Sequence, residues 1–168
     1  LAGPIGVEVL SRAPEYRVRV DVGTPDIEIG GAERTLESAG VIWRYRAVSL
    51  GNPHVVIFVD DIAAVDVARV GAALAMHRDF PQGTNVHFLQ VLDPHRVRVR
   101  HYERGVGVTQ SCGTGSVAAA AAAIVAGSAE SPVTVEVPGG TLVVEWRLGA
   151  SATLTGPVEK VFERTVEA

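Results

Sequence analysis

The residue best equipped for chemistry in this chain is Cys112, set in Ser111-Cys112-Gly113-Thr114-Gly115 just ahead of the apolar run Val117 to Val125. If that run is a helix, the thiol sits where unpaired backbone N–H groups and the positive end of the helix dipole converge. Such a setting is expected to lower a thiol pKa and to stabilise the thiolate. Gly113 and Gly115 let a bound anion approach the backbone N–H groups closely, as a substrate carboxylate would. Removing a proton α to a carboxylate needs a base beside Cα and donors aimed at the carboxylate oxygens, where charge builds up. One short segment carries both. The same position also suits a small buried hydrophobe at a glycine-rich turn, the commonest fate of a lone cysteine.

Composition narrows the chemistry further. A single cysteine leaves no partner within the chain for a disulfide or for a zinc site built on several thiolates. Lys160 is the one lysine against fourteen arginines, so a pyridoxal-phosphate Schiff base would rest on that residue alone. Neither a metal nor an organic cofactor is expected. With 168 residues, 47% of them hydrophobic, and a mean hydropathy of +0.23, the chain is long and apolar enough for one folded domain. The formal charge of −4 is dispersed, which points to small metabolites and away from nucleic acid. The apolar run to Gly127 falls well short of the roughly 20 residues of a membrane span, and no positively charged leader ahead of a cleavage-like site is expected. A soluble cytoplasmic protein is expected.

The elements that must position the thiol are legible in the spacing. Strands are expected at Ile5 to Val9, Tyr16 to Val22, Val41 to Leu50 and His54 to Val59. A helix is expected from about Ala63 to His77, capped by Asp60 and Asp61 and ended by Phe80-Pro81-Gln82-Gly83. Asn85 to Val91 and Arg96 to Tyr102 read as two strands around an Asp93-Pro94 turn, the arginines at 96, 98 and 100 marking a wet face. A glycine-punctuated loop, Gly105 to Gly115, leads to the helix Ser116 to Val125. Further strands follow at Val133 to Val137, Thr141 to Arg147, Ala152 to Thr155 and Val158 to Arg164, with Pro138-Gly139-Gly140 as a tight hairpin. The alanine run is apolar on every face, so that helix should be buried all round. The expected fold is α+β: a strongly curved mixed β-sheet wrapped around a buried central Ala-rich helix.

Three motifs now stand in order: Gly51-Asn52-Pro53-His54 running into Val55 to Asp60; Asn85-Val86 before a Phe and a Gln; and Tyr102-Glu103-Arg104-Gly105-Val106-Gly107 through Cys112-Gly113-Thr114-Gly115. Together with the ending Thr155-Gly156-Pro157-Val158-Glu159-Lys160-Val161-Phe162-Glu163 they resemble the signature of the diaminopimelate epimerase family over most of the chain. The resemblance implies a cofactor-independent epimerase that interconverts LL- and meso-diaminopimelate by two-cysteine proton transfer at Cα, in lysine and peptidoglycan precursor biosynthesis. Cys112 would be the acid/base thiol on one face of Cα, with Gly113 and Thr114 donating to the α-carboxylate. Asn52, Asn85, Glu103 and Arg104 would hold the far end of the substrate, the arginine its carboxylate, the carboxylate and amide oxygens its ammonium. His54 and Glu103 would tune the thiol pKa. Without the motif, Glu103 and Arg104 read as a surface ion pair, Asn52-Pro53 as a turn, Asn85 as a cap, and His54 as a structural histidine.

Two features set this chain apart. Val108 stands where the family pattern has glutamate, which leaves room for an epimerase or racemase of another amino acid in the same superfamily. The second cysteine is absent; the resemblance assigns it to a first domain preceding this one, and the start at Leu1 fits its removal. Two copies of Cys112 meeting across a homodimer are the alternative. Residues 1–155 are read as the second, catalytic domain and 156–168 as a terminal strand that pairs with the first domain, so that Val158 to Arg164 presents an exposed edge. The isolated half is expected to be inactive. A non-catalytic binding or assembly module is the competing reading, and a cysteine hydrolase with Cys112 and His54 lacks a third orienting residue.

Overall fold

Alternation of β-branched and polar residues, broken by Gly, Pro and Asn, builds most of this chain as strands. The computed structural model describes residues 5–12, 15–28, 33–38, 40–159, 161 and 164–165. In chain order the strands begin with β1 (Val7–Ser11), β2 (Tyr16–Gly23), β3 (Asp26–Ile27), β4 (Arg34–Ser38), β5 (Val41–Ser49) and β6 (Pro53–Phe58). A short 3-10 turn (Ile62–Ala64) and helix α1 (Val67–Ala75) follow, then β7 (Asn85–Asp93), β8 (Arg96–Glu103), β9 (Gly107–Thr109) and helix α2 (Gly113–Val125). The described chain closes with β10 (Val133–Val137), β11 (Gly140–Glu145) and β12 (Ala152–Val158).

These strands join one mixed sheet in the order β1-β2-β12-β11-β10-β8-β7-β6-β5-β3, with β4 on β5 and β9 on β8. Only β6–β7 and β8–β10 are parallel among the described pairs. Each of these pairs is joined by a crossover that contains a helix, as parallel neighbours require. The two helices serve separate clusters. Along β6, Val55 and Ile57 pack with Leu74 and Ala75 of α1, while Val56 and Phe58 belong to the cluster around α2. Successive side chains of a strand point to opposite faces, so α1 and α2 lie on opposite sides of this part of the sheet. The α+β reading holds, with two helices among mostly strands.

Helix α2 is buried from Gly115 to Ala123 and meets β5, β6, β7, β8, β10, β11 and β12. Alanine suits this place, because a small side chain lets a backbone approach from every direction at low entropic cost. No helix among the described residues is long and apolar enough to cross a membrane. The expected hairpin at Pro138-Gly139-Gly140 is present, with Val137 facing Gly140 across it and Gly140 at φ +139°.

Four expectations need correction. The helix expected over Ala63 to His77 is broken, because Asp61 caps the 3-10 turn through Ala63 N–H and Asp66 starts α1 afresh through Arg69 N–H. Each aspartate offers its own acceptor to an unpaired N–H, so the chain turns twice. Ala152 to Thr155 and Val158 belong to one strand, β12, which runs across the boundary expected after residue 155. Val158 is no open edge: it pairs with Tyr16 of β2, and β12 lies between β2 and β11. Within the expected strand to Arg164, residues 160, 162 and 163 lie outside the described residues. Finally, β3, β4 and β9 escape periodicity, since each is too short or too polar to alternate visibly.

Candidate active site

The site is built where β6 and β7 begin and β8 ends, beside the N-terminus of α2. Strand parity does the sorting. Leu89 on β7 and Val97 and Val99 on β8 face the α2 cluster, so residues of the same parity, Asn85 and His87 on β7, His101 and Glu103 on β8, line up on that face. Pairing then fixes their level. His54 stands opposite Asn85 on the β6–β7 ladder, and His87 opposite His101 on β7–β8.

Cys112 is the N-cap residue of α2, with extended backbone (φ −140°, ψ 113°), and its carbonyl accepts the first helical hydrogen bond from Ser116 at 2.8 Å. Its side chain makes no capping bond and is 8% exposed. The thiol points instead at Glu103, donating to Oε2 at 3.3 Å, with Thr114 Oγ1 at 3.8 Å. This corrects the expectation of a lowered pKa. Burial pushes the Cys112 thiol up; the Gly115 N–H and the Thr114 hydroxyl pull it down, and the Glu103 carboxylate adds to the rise. The Glu103 carboxylate thus acts in the direction of keeping the thiol protonated. Gly113 and Thr114 form the first turn of α2 directly after the thiol, Gly113 on the surface and Thr114 half-buried.

The other motif residues stitch loops together. The Asn85 amide donates to the Pro53 carbonyl at 3.1 Å, and its oxygen accepts from the Arg104 backbone N–H at 3.0 Å. One side chain therefore ties the Asn52-Pro53 turn to the end of β8. The Arg104 guanidinium donates to the carbonyls of Gln82 at 2.6 Å and Gly83 at 3.3 Å. Without the motif Glu103 and Arg104 would be read as an ion pair, yet here the carboxylate turns to the thiol and the guanidinium to loop carbonyls. Gly83 is at φ +71°, and a Cβ there would lie 2.8 Å from Arg104 Cδ, so the loop needs glycine both for its backbone and for this docking. Asn52 accepts from His54 at 3.0 Å.

His54 is buried, its pKa lowered to about 4 by desolvation, with Glu103 opposing the shift. Its ring partners are Asn52 and His87, and it shares with the cysteine the electrostatic influence of Glu103. His87 and His101, both fully buried, carry no role in the motifs: His87 falls within the Asn85 to Gln90 stretch without being one of its distinguishing residues, and His101 stands just before Tyr102. The signal that could have found them is register: two histidines on strands adjacent to that of His54, at the parity that faces α2. A cavity of about 340 Å³ bounded by Glu28, Arg34, Tyr45 and His54 opens beside the site but does not reach Cys112. Val108 is exposed on β9 opposite Tyr102, so the loop folds without a carboxylate there.

Comparison with known proteins identifies the family. Residues 46–161 match the family model described as diaminopimelate epimerase. Diaminopimelate epimerases of Synechococcus elongatus and Pseudomonas entomophila are 39% and 43% identical to 96% of this chain. The chain spans 59% and 62% of the length of these two curated relatives. Among solved structures, a hydroxyproline epimerase from Agrobacterium vitis with bound trans-4-OH-L-proline aligns with a TM-score of 0.67 at 17% identity, over 91% of this chain and 53% of that one. A predicted epimerase from Pseudomonas aeruginosa aligns at 0.64 and 14% identity, over 97% of this chain and 65% of that one. These likenesses concern the fold.

Proposed function

The chain belongs to the diaminopimelate epimerase family, and from that premise we propose that it supplies one face of a two-base epimerase site acting on diaminopimelate, with Cys112 as its acid/base. The observation that carries this reading is the Cys112 thiol held by Glu103 and Thr114 at the mouth of α2. Burial and the carboxylate keep this thiol protonated at rest. Cys112 then acts first as the acid. A thiolate on the far face of Cα takes the α-proton, the C–H electron pair spreads into the carboxylate, and the Cys112 S–H delivers its proton to the opposite face. The Cys112 thiolate so formed is eased by the Gly115 N–H and the Thr114 hydroxyl. In the reverse direction the two sulfurs exchange roles.

One sulfur cannot stand on both faces of Cα, so the second cysteine comes from a first domain, for which the greater length of the relatives leaves room. The same reading makes this chain the catalytic half and places the segment beyond β12 against that first domain; Val161, 84% exposed, offers apolar surface for it. We also infer that the sheet curls around α2, which the seven strands in contact with the helix support. Gly113 and Thr114 would hold the α-carboxylate and Arg104 a distal carboxylate. Exposed Val108 favours a second reading, an epimerase of the same kind for a different amino acid.

The experiment is isotope exchange. The full-length gene product carrying this segment, incubated with diaminopimelate in deuterated water, should place deuterium at Cα. Cys112→Ala should reduce conversion between the LL and meso forms by at least about 1,000-fold, the scale of a lost acid/base group. Epimerisation that survives this substitution, or no exchange by the unsubstituted protein, ends the proposal.

A further inference from the structure

Three buried imidazoles stand in file behind the cysteine. His54 Nδ1 is 2.8 Å from His87 Nε2, and His87 Nδ1 is 2.8 Å from His101 Nδ1. At the outer end His54 Nε2 is 3.0 Å from Asn52 Oδ1. All three rings are 0–1% exposed. Nitrogens sharing a tetrahedral zinc lie roughly 3.3 Å apart, and no group of three ligating residues able to hold a metal occurs among the described residues. The short contacts are hydrogen bonds, one proton in each.

A neutral imidazole has one N–H and one lone pair, so such a file has a direction. The Asn52 oxygen can only accept. His54 Nε2 is therefore a donor, His54 Nδ1 accepts from His87 Nε2–H, and His87 Nδ1 accepts from His101 Nδ1–H. What remains is the His101 Nε2 lone pair, buried without a partner. The opposite direction would strand an N–H in the same place, and buried orphan N–H groups are the rarer of the two. Burial and mutual proximity keep the rings neutral: His54 and His101 are lowered to about 4, and His87 lies well below its ordinary range. The file is also clamped from above. A Cβ on Gly115 of α2 would lie 2.5 Å from His87 Cε1, so the helix backbone presses directly on the middle ring.

We propose that His87 and His101 are positioning residues, which fix His54 as its Nε2–H tautomer and thereby turn the Asn52 amide so that its NH2 group faces the substrate. The proposal rests on the reading that Asn52 belongs to the substrate site. It changes what Asn52 does there. With its oxygen held by His54, Asn52 donates to a substrate oxygen, such as a carboxylate, instead of receiving an ammonium as the motif alone suggests.

The test begins with the chain itself, labelled with ¹⁵N-histidine, by ring-nitrogen NMR at pH 7. Three neutral rings are expected, with N–H at Nε2 in His54 and His87 and at Nδ1 in His101. A His54 ring that carries its proton at Nδ1, or averages between tautomers, overturns the proposal. Glutamine can accept at one end and donate at the other, so His87→Gln should hold the His54 tautomer where His87→Leu releases it. In the full-length enzyme His87→Leu should raise KM for diaminopimelate roughly tenfold, the scale of one hydrogen bond, with kcat changed less than KM, and His87→Gln should restore KM. A fall in kcat at unchanged KM counts against positioning. Expected tautomers without isotope exchange would defeat the catalytic reading alone.

Discussion

At Cys112 two effects of opposite sign meet, and their sizes decide the outcome. A helix N-terminus favours an adjacent anion by about 0.3–1 kcal/mol at an exposed site. Taking a charge out of water costs several kcal/mol even after relaxation, and Cys112 is buried beside a carboxylate. Burial wins, so the resting group is the thiol. Glu103→Gln should then lower the Cys112 pKa, because the substitution removes the negative charge that opposes thiolate formation. Thiolate absorbance followed against pH checks this, and an upward or absent movement would contradict it. Asn85 teaches a related lesson. Its type and motif point to substrate, yet its amide and oxygen already hold Pro53 and Arg104 in place, and only the folded chain could reveal that.

Among the elements, α2 carries the tightest constraint on the site. Gly115 is buried in its first turn against the His87 ring. Replacing glycine by alanine in a helix usually gains up to about 1 kcal/mol, whereas overpacking a filled core costs about 1–3 kcal/mol. At 2.5 Å from an imidazole that is boxed between two others, the clash should dominate. Gly115→Ala is expected to destabilise the fold by about 1–2 kcal/mol in urea denaturation, and to displace the His87 ring signals. A stabilised variant would show that the ring can move aside. The alternation along β6, β7 and β8 was readable from the sequence, and so was the burial of the alanine run. The break between the 3-10 turn and α1 was not, because apolar spacing continues through it and only the Asp66 cap marks the new start.

On the scale of the molecule, three buried neutral histidines link folding to acid. Their pKa values are lowered in the folded state, from an ordinary 6.5 to about 4 for His54 and His101. As pH falls below about 6.5 the unfolded chain takes up protons that the folded chain refuses, so stability is complete above that pH and declines towards about pH 4. The slope is at most about 1.4 kcal/mol per pH unit for each histidine. Urea midpoints measured from pH 7 to pH 4.5 should fall steeply, and substituting His87 and His101 together by apolar residues should flatten the curve. A flat profile in the unsubstituted chain would mean that the rings are charged or exposed.

The amino-acid order by itself determined the strand-rich α+β class, the buried helix and the thiol at its start, because alternation, apolar runs and glycines act over a few residues. The motifs added the family. Tertiary structure alone decided the state of the thiol, which depends on how much water the fold removes from Cys112 and on a carboxylate nine residues away. It alone decided the histidine file as well. His54, His87 and His101 lie far apart in the chain and meet only because one parallel and one antiparallel ladder bring them onto one face of the sheet, His87 opposite His101 and one step along from His54. Hydrogen-bond direction then passes through all three rings to Asn52, a property of the register that no single segment contains.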